Sequence, residues 1–319
     1  MQAPERKGKF FPHLRFVSGM SQPSRCPEAR PVVRRRRSFE PKKGRLAAPL
    51  GGLLLLGLLT GCPLMPSYPD EAGPRYGGDY RPVVPTAVEP PSSVTVVTYN
   101  LAFAEQVTDA IASLSTPPLA NADVIAMQEM DAPSVERIAR ELGLSYVYYP
   151  ASVAKDGDDF GNAVLSRWPI TADRKINLPH DDPYHQQHRI GVAATVDIRG
   201  TPFQVVSVHG ATPIVGLGAR LDQAETVIHS VEGEVPSQVI AGDFNTSDPG
   251  SLTQTVKLFS KWGFQWASEG VGDTVDSVIG GLPLDSVFVR GLTPVERGVD
   301  RRPSGSDHQP VWVRFGWPR

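Results

Sequence analysis

The chain contains very little cysteine, which limits how its fold can be stabilised. Only Cys26 and Cys62 occur among 319 residues. If an export signal ends at Gly61, the mature chain keeps one thiol, so no internal disulfide can form. With so few thiols and no HExxH sequence, the chain also lacks the usual ligand sets of a zinc site.

Long hydrophobic runs and internal repeats are missing as well. The longest apolar stretch, 46–59, has 14 residues, whereas a membrane-spanning helix needs about 20. No period of about 20 to 50 residues recurs strongly, which excludes a solenoid.

Positive charge is scarce in the C-terminal part of the chain. Residues 1–93 hold 15 Lys and Arg against 7 Asp and Glu, a net charge of +8; residues 94–319 hold 17 against 27, a net charge of −10. Enzymes of nucleic acids normally carry a basic surface, because phosphate neutralisation supplies much of their affinity. The charge therefore disfavours a nucleic-acid substrate, but a local basic patch or a bound cation keeps that alternative open.

The N-terminal segment has the parts of an export signal. A basic stretch, 34–45, precedes the apolar stretch 46–59, and LTGC follows at 59–62. LTGC resembles a bacterial lipobox, which implies that Cys62 is lipidated and residues 1–61 are removed. We therefore expect a protein anchored to the membrane through Cys62 in the bacterial cell envelope. Residues 62–93, rich in Pro and Gly, are typical of a flexible tether.

Residues 94–319 are long enough for one domain with a sizeable core. Val- and Ile-rich runs alternate with amphipathic segments in this part of the chain. The patterns predict strands over 94–101, 123–129, 145–150, 162–166, 190–198, 203–209, 237–242, 284–290 and 309–315, and helices over 104–114, 133–142, 218–231 and 250–261. The strands 190–198 and 203–209 read as a hairpin, which argues for a mixed sheet rather than a purely parallel one.

Polar side chains stand where several apolar strands end. In VIAGDFN, Asp243 and Asn245 follow a buried run and lie two residues apart, on one face. Asn100, Glu129 and His209 end three other strands. Burying an unpaired carboxylate costs several kcal/mol, so these groups indicate a chemical site rather than a core.

Taken in order, the strand-end motifs resemble those of the endonuclease/exonuclease/phosphatase superfamily, which has the deoxyribonuclease I-like fold. The motifs are TYN (98–100), QE (128–129), GNAVLSRWPI (161–170), VH (208–209), GDFN (242–245), LDSVFV (284–289) and SDH (306–308). The resemblance covers nearly all of residues 94–319. It implies an α+β fold, a four-layer α/β/β/α sandwich of two mixed sheets flanked by helices, with the catalytic domain spanning 94–319.

Phosphate-ester hydrolysis needs a hard cation, a positioned water and donors for the phosphoryl oxygens. Magnesium takes few carboxylates and keeps several waters, so Mg²⁺ or Mn²⁺ suits the sparse carboxylates here. Glu129 and Asn100 are the expected ligands, and Asp307 joins them because its position in the family lies near the metal. Some members carry an additional Asp two residues past the first-strand Asn; Ala102 occupies that position, so a second metal is not implied.

The resemblance also implies roles for the remaining polar residues. Asp243 matches the residue that orients or deprotonates the attacking water, and Asn245 the one that holds water and phosphate. Asp285 and His308 match a hydrogen-bonded pair in which the imidazolium donates to the phosphoryl oxygens. His209 matches a histidine that contacts the scissile phosphate or protonates the leaving group.

Asn162 and Arg189 match substrate-binding positions of the family less specifically. Asn162 resembles an amide that faces the substrate. Arg189 stands where many members carry a basic residue near the phosphate, with a surface ion pair as the alternative. Either residue could instead be structural.

The sequence thus predicts a monomeric, Mg²⁺-dependent phosphodiesterase that acts on an extracellular diester, either nucleic acid or a phospholipid headgroup. Two alternatives stay open: a phosphomonoesterase for nucleotides or inositol phosphates, and an inactive member that serves as an envelope binding protein. Substrate specificity resides in loops, whose geometry a sequence does not reveal.

Overall fold

A computed structural model describes residues 66–83, 91–154, 157–184, 186–233, 235–277, 280–302 and 305–318. The predicted signal, 1–61, and the lipidation site Cys62 lie outside these residues. None of the helices in the described ranges has the length and hydropathy needed to cross a membrane.

Strands and helices are numbered in chain order. The strands are β1 (Tyr76–Asp79), β2 (Ser93–Asn100), β3 (Val124–Met130), β4 (Ser145–Val153), β5 (Asp159–Ser166), β6 (Ile170–Asn177), β7 (Ile190–Ile198), β8 (Thr201–His209), β9 (Gln238–Asp243), β10 (Gln265–Trp266), β11 (Val275–Ser277), β12 (Gly280–Leu282), β13 (Asp285–Arg290), β14 (Thr293–Val299) and β15 (Val311–Gly316). The helices are α1 (Val107–Leu114), α2 (Ala132–Leu142), α3 (Leu217–Ser230) and α4 (Pro249–Lys261).

Two mixed sheets form the centre of the domain. Sheet A has the strand order β1-β4-β5-β3-β2-β15-β14, and sheet B has the order β10-β13-β9-β8-β7-β6. Each sheet contains one parallel pair, β2 with β3 in sheet A and β8 with β9 in sheet B, while their other neighbours are antiparallel. The mixed character predicted from the hairpin is confirmed.

Hydrophobic clusters divide the domain into four layers. One cluster fills the space between the sheets, with Val96 of β2 and Val205 of β8 among its members. A second joins α1 and α2 to the outer face of sheet A, and a third joins α3 and α4 to that of sheet B. Because a sheet must bury both faces when neither is polar, helices cover each outer surface. This is the α+β sandwich that the motifs implied.

The predicted hairpin is present as β7 and β8. Ile198 pairs with Thr201 across the turn, and the two central residues, Arg199 and Gly200, have φ of 56° and 87°. Positive φ at both positions gives a turn whose twist matches that of the flanking strands.

The strands that sequence patterns missed lie mainly at sheet edges. β1 and β14 border sheet A, and β6 and β10 border sheet B. Edge strands bury less surface and carry charges, Pro and Gly that discourage further pairing. Their sequences, such as TPVERGV in β14, therefore lack a clear apolar alternation.

Residues 66–83, named here the arm, depart from the flexible tether predicted for 62–93. β1 pairs with β4, and the Nζ of Lys175, which is 2% exposed, donates to the carbonyl oxygens of Tyr68 and Gly73 at 2.8 and 3.0 Å. The guanidinium of Arg75 donates two hydrogen bonds to the carboxylate of Asp173. The spacer prediction is wrong for the arm, because backbone pairing and buried charge hold it on the domain.

Candidate active site

Parallel pairing brings the polar strand ends together in each sheet. Asn100 at the end of β2 pairs with Gln128 of β3, and His209 at the end of β8 pairs with Asp243 at the end of β9. Parallel strands run in the same direction, so their carboxyl ends meet at one edge. Glu129, the residue after Gln128, reaches the same edge.

Antiparallel neighbours deliver further polar groups to this end. Asp285, the first residue of β13, pairs directly with Asp243. His308 precedes β15, which runs antiparallel to β2, and Arg189 precedes β7, which runs antiparallel to β8. The first residues of some strands and the last residues of others, from both sheets, therefore converge on one site.

The glycine of GDFN permits the close packing of β8 and β9. A Cβ on Gly242 would lie 1.9 Å from the carbonyl oxygen of Val208, and the φ of Gly242 is 155°. No side chain fits at that distance. Gly242 thus allows the neighbouring carboxylate to emerge directly beside β8.

A bulge in β3 directs Glu129 into the site. The register between β3 and β5 shifts between Met127 and Met130, and Glu129 has φ of 58°. A bulge re-aims a side chain that regular pleating would point elsewhere. The Glu129 carboxylate accepts hydrogen bonds from the side-chain amide of Asn100 at 3.0 Å and from the backbone N–H of Phe103 at 3.2 Å.

Asn100 connects the two carboxylates of the site. Its Nδ2 also donates to Oδ2 of Asp243 at 3.1 Å, and its Oδ1 accepts the N–H of Ala102 at 3.0 Å. The side chain is fully buried. With this orientation, its amide nitrogen rather than its oxygen faces the predicted metal ligand Glu129.

The Asp243 carboxylate lies between two imidazoles. Its Oδ2 is 3.7 Å from Nε2 of His209 and 3.7 Å from Nε2 of His308. Burial raises the pKa of Asp243 to about 7; the positive charge of His308 opposes this rise, and the carboxylate of Asp285 adds to it. A carboxylate with this pKa is a far better proton acceptor at neutral pH than an ordinary Asp.

His308 is held by Asp285. Its Nδ1 is 2.8 Å from Oδ2 of Asp285, and the hydroxyl of Thr274 donates to the same oxygen at 2.6 Å. Burial by itself would lower the pKa of His308, but the charge and hydrogen bond of Asp285, together with Asp243 and Asp307, raise it to about 10. His308 is therefore an imidazolium at neutral pH.

His209 has the opposite protonation state. It is 3% exposed, and Nη1 of Arg189 lies 3.0 Å from both of its ring nitrogens. Burial and the positive charges of Arg189 and His308 hold the pKa of His209 well below its ordinary value. The ring is neutral, so it does not carry the extra proton that the predicted leaving-group acid needs.

Two compact groups of side chains in the described ranges could hold a cation. One comprises Glu129, His209 and Asp243, and the other Asp243, Asp285 and His308, each with its ligand atoms within 4.8 Å of one another. Asp307, a predicted ligand, belongs to neither group. It is exposed, and it lines the same cavity as Glu129.

The side chains of Asn245, Asn162 and Arg189, which were predicted to contact water, substrate or phosphate, lie in different surroundings. Asn245 is buried, its N–H donates to Asp243 Oδ1 at 2.8 Å, and its side-chain amide donates to the Gly210 carbonyl at 3.1 Å. Asn162 donates to the backbone carbonyl oxygens of Ile190 and Ser207 in the other sheet. Arg189 is buried against His209, so the surface ion pair weighed for it is wrong.

Sequence reasoning missed Arg220 and Thr274. Arg220 of α3 is 9% exposed and donates to the carbonyl oxygen of Asn245. It shares a helix face with the buried Ala224 and Val227, and a charged residue on that apolar face was a readable signal. Thr274 lies in no strand-end motif, and no sequence pattern marks it.

Known proteins resemble this chain in parts of its sequence and in its fold. A UPF0294 protein of Vibrio campbellii is 33% identical over 119 residues, which cover 36% of this chain and 40% of that protein. A UPF0294 protein of Vibrio cholerae serotype O1 is 28% identical over 116 residues, which cover 36% and 41% of the two chains. The match thus spans about two fifths of the length of these curated relatives.

Solved structures share the fold at low sequence identity. An endonuclease/exonuclease/phosphatase family protein from Leptotrichia buccalis has a TM-score of 0.59 at 18% identity, covering 70% of this chain and 100% of that chain. D. rerio TDP2 complexed with single strand DNA product has a TM-score of 0.58 at 16% identity, with coverage of 71% and 100%. The mannosyl-6-phosphatase of Bacteroides thetaiotaomicron has a TM-score of 0.54 at 19% identity, with coverage of 70% and 100%.

The family model described as Endonuclease/Exonuclease/phosphatase family matches residues 97–308, from β2 to His308. This range contains every strand-end motif at the site. The chain therefore belongs to the endonuclease/exonuclease/phosphatase family, whose members are metal-dependent hydrolases of phosphate esters.

Proposed function

We propose that residues 94–319 hydrolyse a phosphodiester by direct attack of water, with Mg²⁺ or Mn²⁺ as the cofactor. The observation that carries this proposal is the position of the Asp243 carboxylate. It lies 3.7 Å from the Nε2 atoms of two imidazoles, and it accepts a hydrogen bond from the side-chain amide of Asn100, which also donates to Glu129. One acceptor for a proton, one cationic donor and one further carboxylate are the groups that the reaction requires.

The donor set fits a hard divalent cation. Glu129 is half-buried at the wall of a cavity of about 400 Å³ that opens to solvent, and Asp243 lies close to it. Both supply oxygen, the atom that Mg²⁺ and Mn²⁺ prefer. Glu129 would hold the ion, with Asp243 and Asp307 as further candidates; the predicted ligand Asn100 turns its amide nitrogen, not its oxygen, toward Glu129 and Asp243. When bound, the ion would neutralise the non-bridging oxygens of the phosphate.

Asp243 would orient the attacking water and accept its proton. Its raised pKa supports proton acceptance, a role that an ordinary Asp performs poorly at neutral pH. The N–H of Asn245 holds Oδ1 of this carboxylate, which leaves Oδ2 directed toward the imidazoles.

The two histidines would have different roles, because His308 is charged and His209 is neutral. His308, kept protonated by Asp285, would donate from Nε2 to the phosphoryl oxygens, where negative charge grows in the transition state. His209, kept neutral by burial and Arg189, would hydrogen-bond to the phosphate without releasing a proton. Arg189 would position His209 and contribute positive charge behind it.

The substrate class and the cellular location rest on different observations. The net charge of −10 over 94–319 disfavours a long polyanion, whereas the structural similarity to a TDP2 bound to a DNA product keeps nucleic acid as a candidate. The similarity to a mannosyl-6-phosphatase keeps a monoester as the alternative. The LTGC sequence at 59–62, which resembles a lipobox, supports a lipid anchor at Cys62 and action in the cell envelope.

A substrate panel tests the reaction. The purified protein is assayed with bis(p-nitrophenyl) phosphate, plasmid DNA, RNA, sphingomyelin, phosphatidylinositol and nucleotide monoesters, each with Mg²⁺, Mn²⁺, Ca²⁺ or EDTA. We expect cation-dependent release from a diester that Asp243→Ala abolishes and that Asp222→Ala, a surface carboxylate paired with His180, leaves intact. Turnover of monoesters alone would favour a phosphatase, and no turnover at all would favour the inactive binding protein.

The anchor is tested separately. Radiolabelled palmitate should enter the protein in bacterial cells and should be absent from Cys62→Ser. Equal labelling of both proteins would contradict lipidation at Cys62.

A further inference from the structure

An exposed aromatic ring stands at the mouth of the site. Phe103 follows β2 and is 51% exposed, while Asn100, three residues earlier, is fully buried. Ala102, Phe103 and Ala104 have φ of 44°, 60° and 55°, a left-handed run that costs energy at each non-glycine residue. The neighbouring site holds this run in place, because Ala102 donates to Asn100 and Phe103 donates to Glu129.

The ring of Phe103 continues a cluster of tilted aromatic rings that starts inside the site. Its centroid is 5.2 Å from that of Phe160, a residue that is 3% exposed. Phe160 in turn lies 5.6 Å from the ring of His209 and 5.2 Å from the guanidinium carbon of Arg189. Phe103 is thus the solvent-facing end of a ring cluster that leads from these two residues to the cavity.

Among the described residues that line the cavity, Phe103 is the only Phe, Tyr or Trp. Its lining in the described part of the chain is Ala102, Phe103, Glu105, Gln106, Glu129, Gly305, Ser306, Asp307 and His308. Three of these residues are carboxylates, none is Lys or Arg, and His308 is the one cation among them, so this wall has little positive charge for phosphates beyond the scissile one. An uncharged planar group would meet the half-exposed ring of Phe103 instead, in a volume typical of small-molecule sites.

We propose that Phe103 is the platform on which a planar aromatic group of the substrate, attached to the scissile phosphate, stacks. This inference rests on the proposed phosphodiesterase activity and narrows its substrate to compact esters that carry a ring, either a nucleobase or an aryl alcohol. Specificity for such esters then comes from this loop rather than from basic contacts to a polymer.

Substitution of Phe103 separates a stacking role from a role in loop structure. Phe103→Ala keeps the backbone N–H that binds Glu129, and the flanking Ala102 and Ala104 already show that alanine is compatible with positive φ here. Phe103→Leu keeps apolar bulk without the ring. Tyr184→Ala is the matched control, because Tyr184 is an aromatic side chain of similar exposure, 61%, that does not line the cavity.

The variants are assayed on bis(p-nitrophenyl) phosphate, on a dithymidine monophosphate and on glycerophosphocholine, which has no ring. We expect Phe103→Ala to raise KM for one or both ring-bearing diesters by about tenfold, as the loss of one base–aromatic stack does, with little change in kcat. The substrate affected identifies the ring as aryl or nucleobase. KM for glycerophosphocholine and all constants of Tyr184→Ala should be unchanged.

Three results would overturn the inference while the proposed function stands: unaltered KM for both ring-bearing diesters, equal losses on all three substrates, or wild-type turnover of glycerophosphocholine alone. If the wild type hydrolyses nothing, the proposed function fails. Calorimetric binding of the dithymidine monophosphate to wild type and Phe103→Ala then tests the platform by itself, and equal affinities would overturn it.

Discussion

The Asp285–His308 pair offers the most direct test of how the site sets its charges. Asp285→Asn keeps the size of the side chain and a hydrogen-bond acceptor near Nδ1 of His308, but it removes the negative charge. Asp285 lies 2.8 Å from this nitrogen, and both side chains are buried. The variant therefore changes electrostatics with little change in packing.

The expected magnitude follows from the pKa of His308. Its rise from 6.5 to about 10 corresponds to about 5 kcal/mol in favour of the charged ring. An opposite charge in contact accounts for about 1 to 3 pH units of such a rise, so we expect the pKa in Asp285→Asn to fall by that amount. Asp243 and Asp307 remain and keep part of the effect.

The sign of the pH dependence is fixed by the raised pKa. A ring whose pKa is higher in the folded than in the unfolded state stabilises the fold fully below about pH 6.5, and the contribution is lost as the pH rises through about 10. The His308 imidazolium that we propose for catalysis loses its proton in the same range, as the pH rises through about 10. In Asp285→Asn both losses should move to lower pH.

The assay combines proton NMR titration of His308 with kcat/KM for bis(p-nitrophenyl) phosphate. Between about pH 6 and about pH 9 the wild type should retain its charged ring. At about pH 9, kcat/KM of Asp285→Asn should fall about twofold if the pKa of His308 drops by about 1 and about 100-fold if it drops by about 3, because each pH unit above a pKa removes about nine tenths of the remaining charged form.

Thr274→Val is the control, because it removes a hydroxyl that donates to the same Asp285 oxygen at 2.6 Å. Without the Thr274 hydroxyl, the Asp285 carboxylate interacts more strongly with His308, so the pKa of His308 should stay the same or rise. An unchanged titration of His308 in Asp285→Asn, or a rate loss of equal size at every pH, would refute the reasoning.

Three further predictions concern packing, the cation and the arm. Gly242→Ala should lower the free energy of unfolding by about 3 kcal/mol or more in thermal melts, because its Cβ would meet the Val208 carbonyl oxygen at 1.9 Å; Gly218→Ala, with open space around its Cβ, should not. EDTA should abolish hydrolysis, and Glu129→Gln should raise the half-saturating Mg²⁺ concentration at least about tenfold, whereas unchanged Mg²⁺ binding by calorimetry would exclude Glu129 as a ligand. Lys175→Met removes the donor to two arm carbonyls, so residues 66–83 should exchange amide hydrogens faster while the rest of the domain does not; equal protection in the variant and the wild type would contradict a role of Lys175 in holding the arm.

Much of the fold followed from the pattern of buried strands. The central strands of both sheets contain apolar runs, such as VIA in β9, a strand that is buried throughout. Such runs can be recognised in the sequence because burial on both faces favours apolar side chains. The edge strands were not legible, because one side of each meets solvent and tolerates charge and proline. The arm was misread for a related reason: Lys175 and backbone carbonyls, rather than apolar residues, hold it.

The sequence by itself determined which polar groups stand at strand ends and in what order, and therefore the family and the fold. Only the tertiary structure decided which atoms meet. His209 and His308 are the same residue type in similar motifs, yet His209 is neutral because burial and Arg189 disfavour its charge, whereas His308 is protonated because the Asp285 carboxylate accepts a hydrogen bond from the ring and stabilises its positive charge. These differences depend on distances of a few ångströms between residues far apart in the chain, and electrostatic energies change steeply over such distances in a buried site.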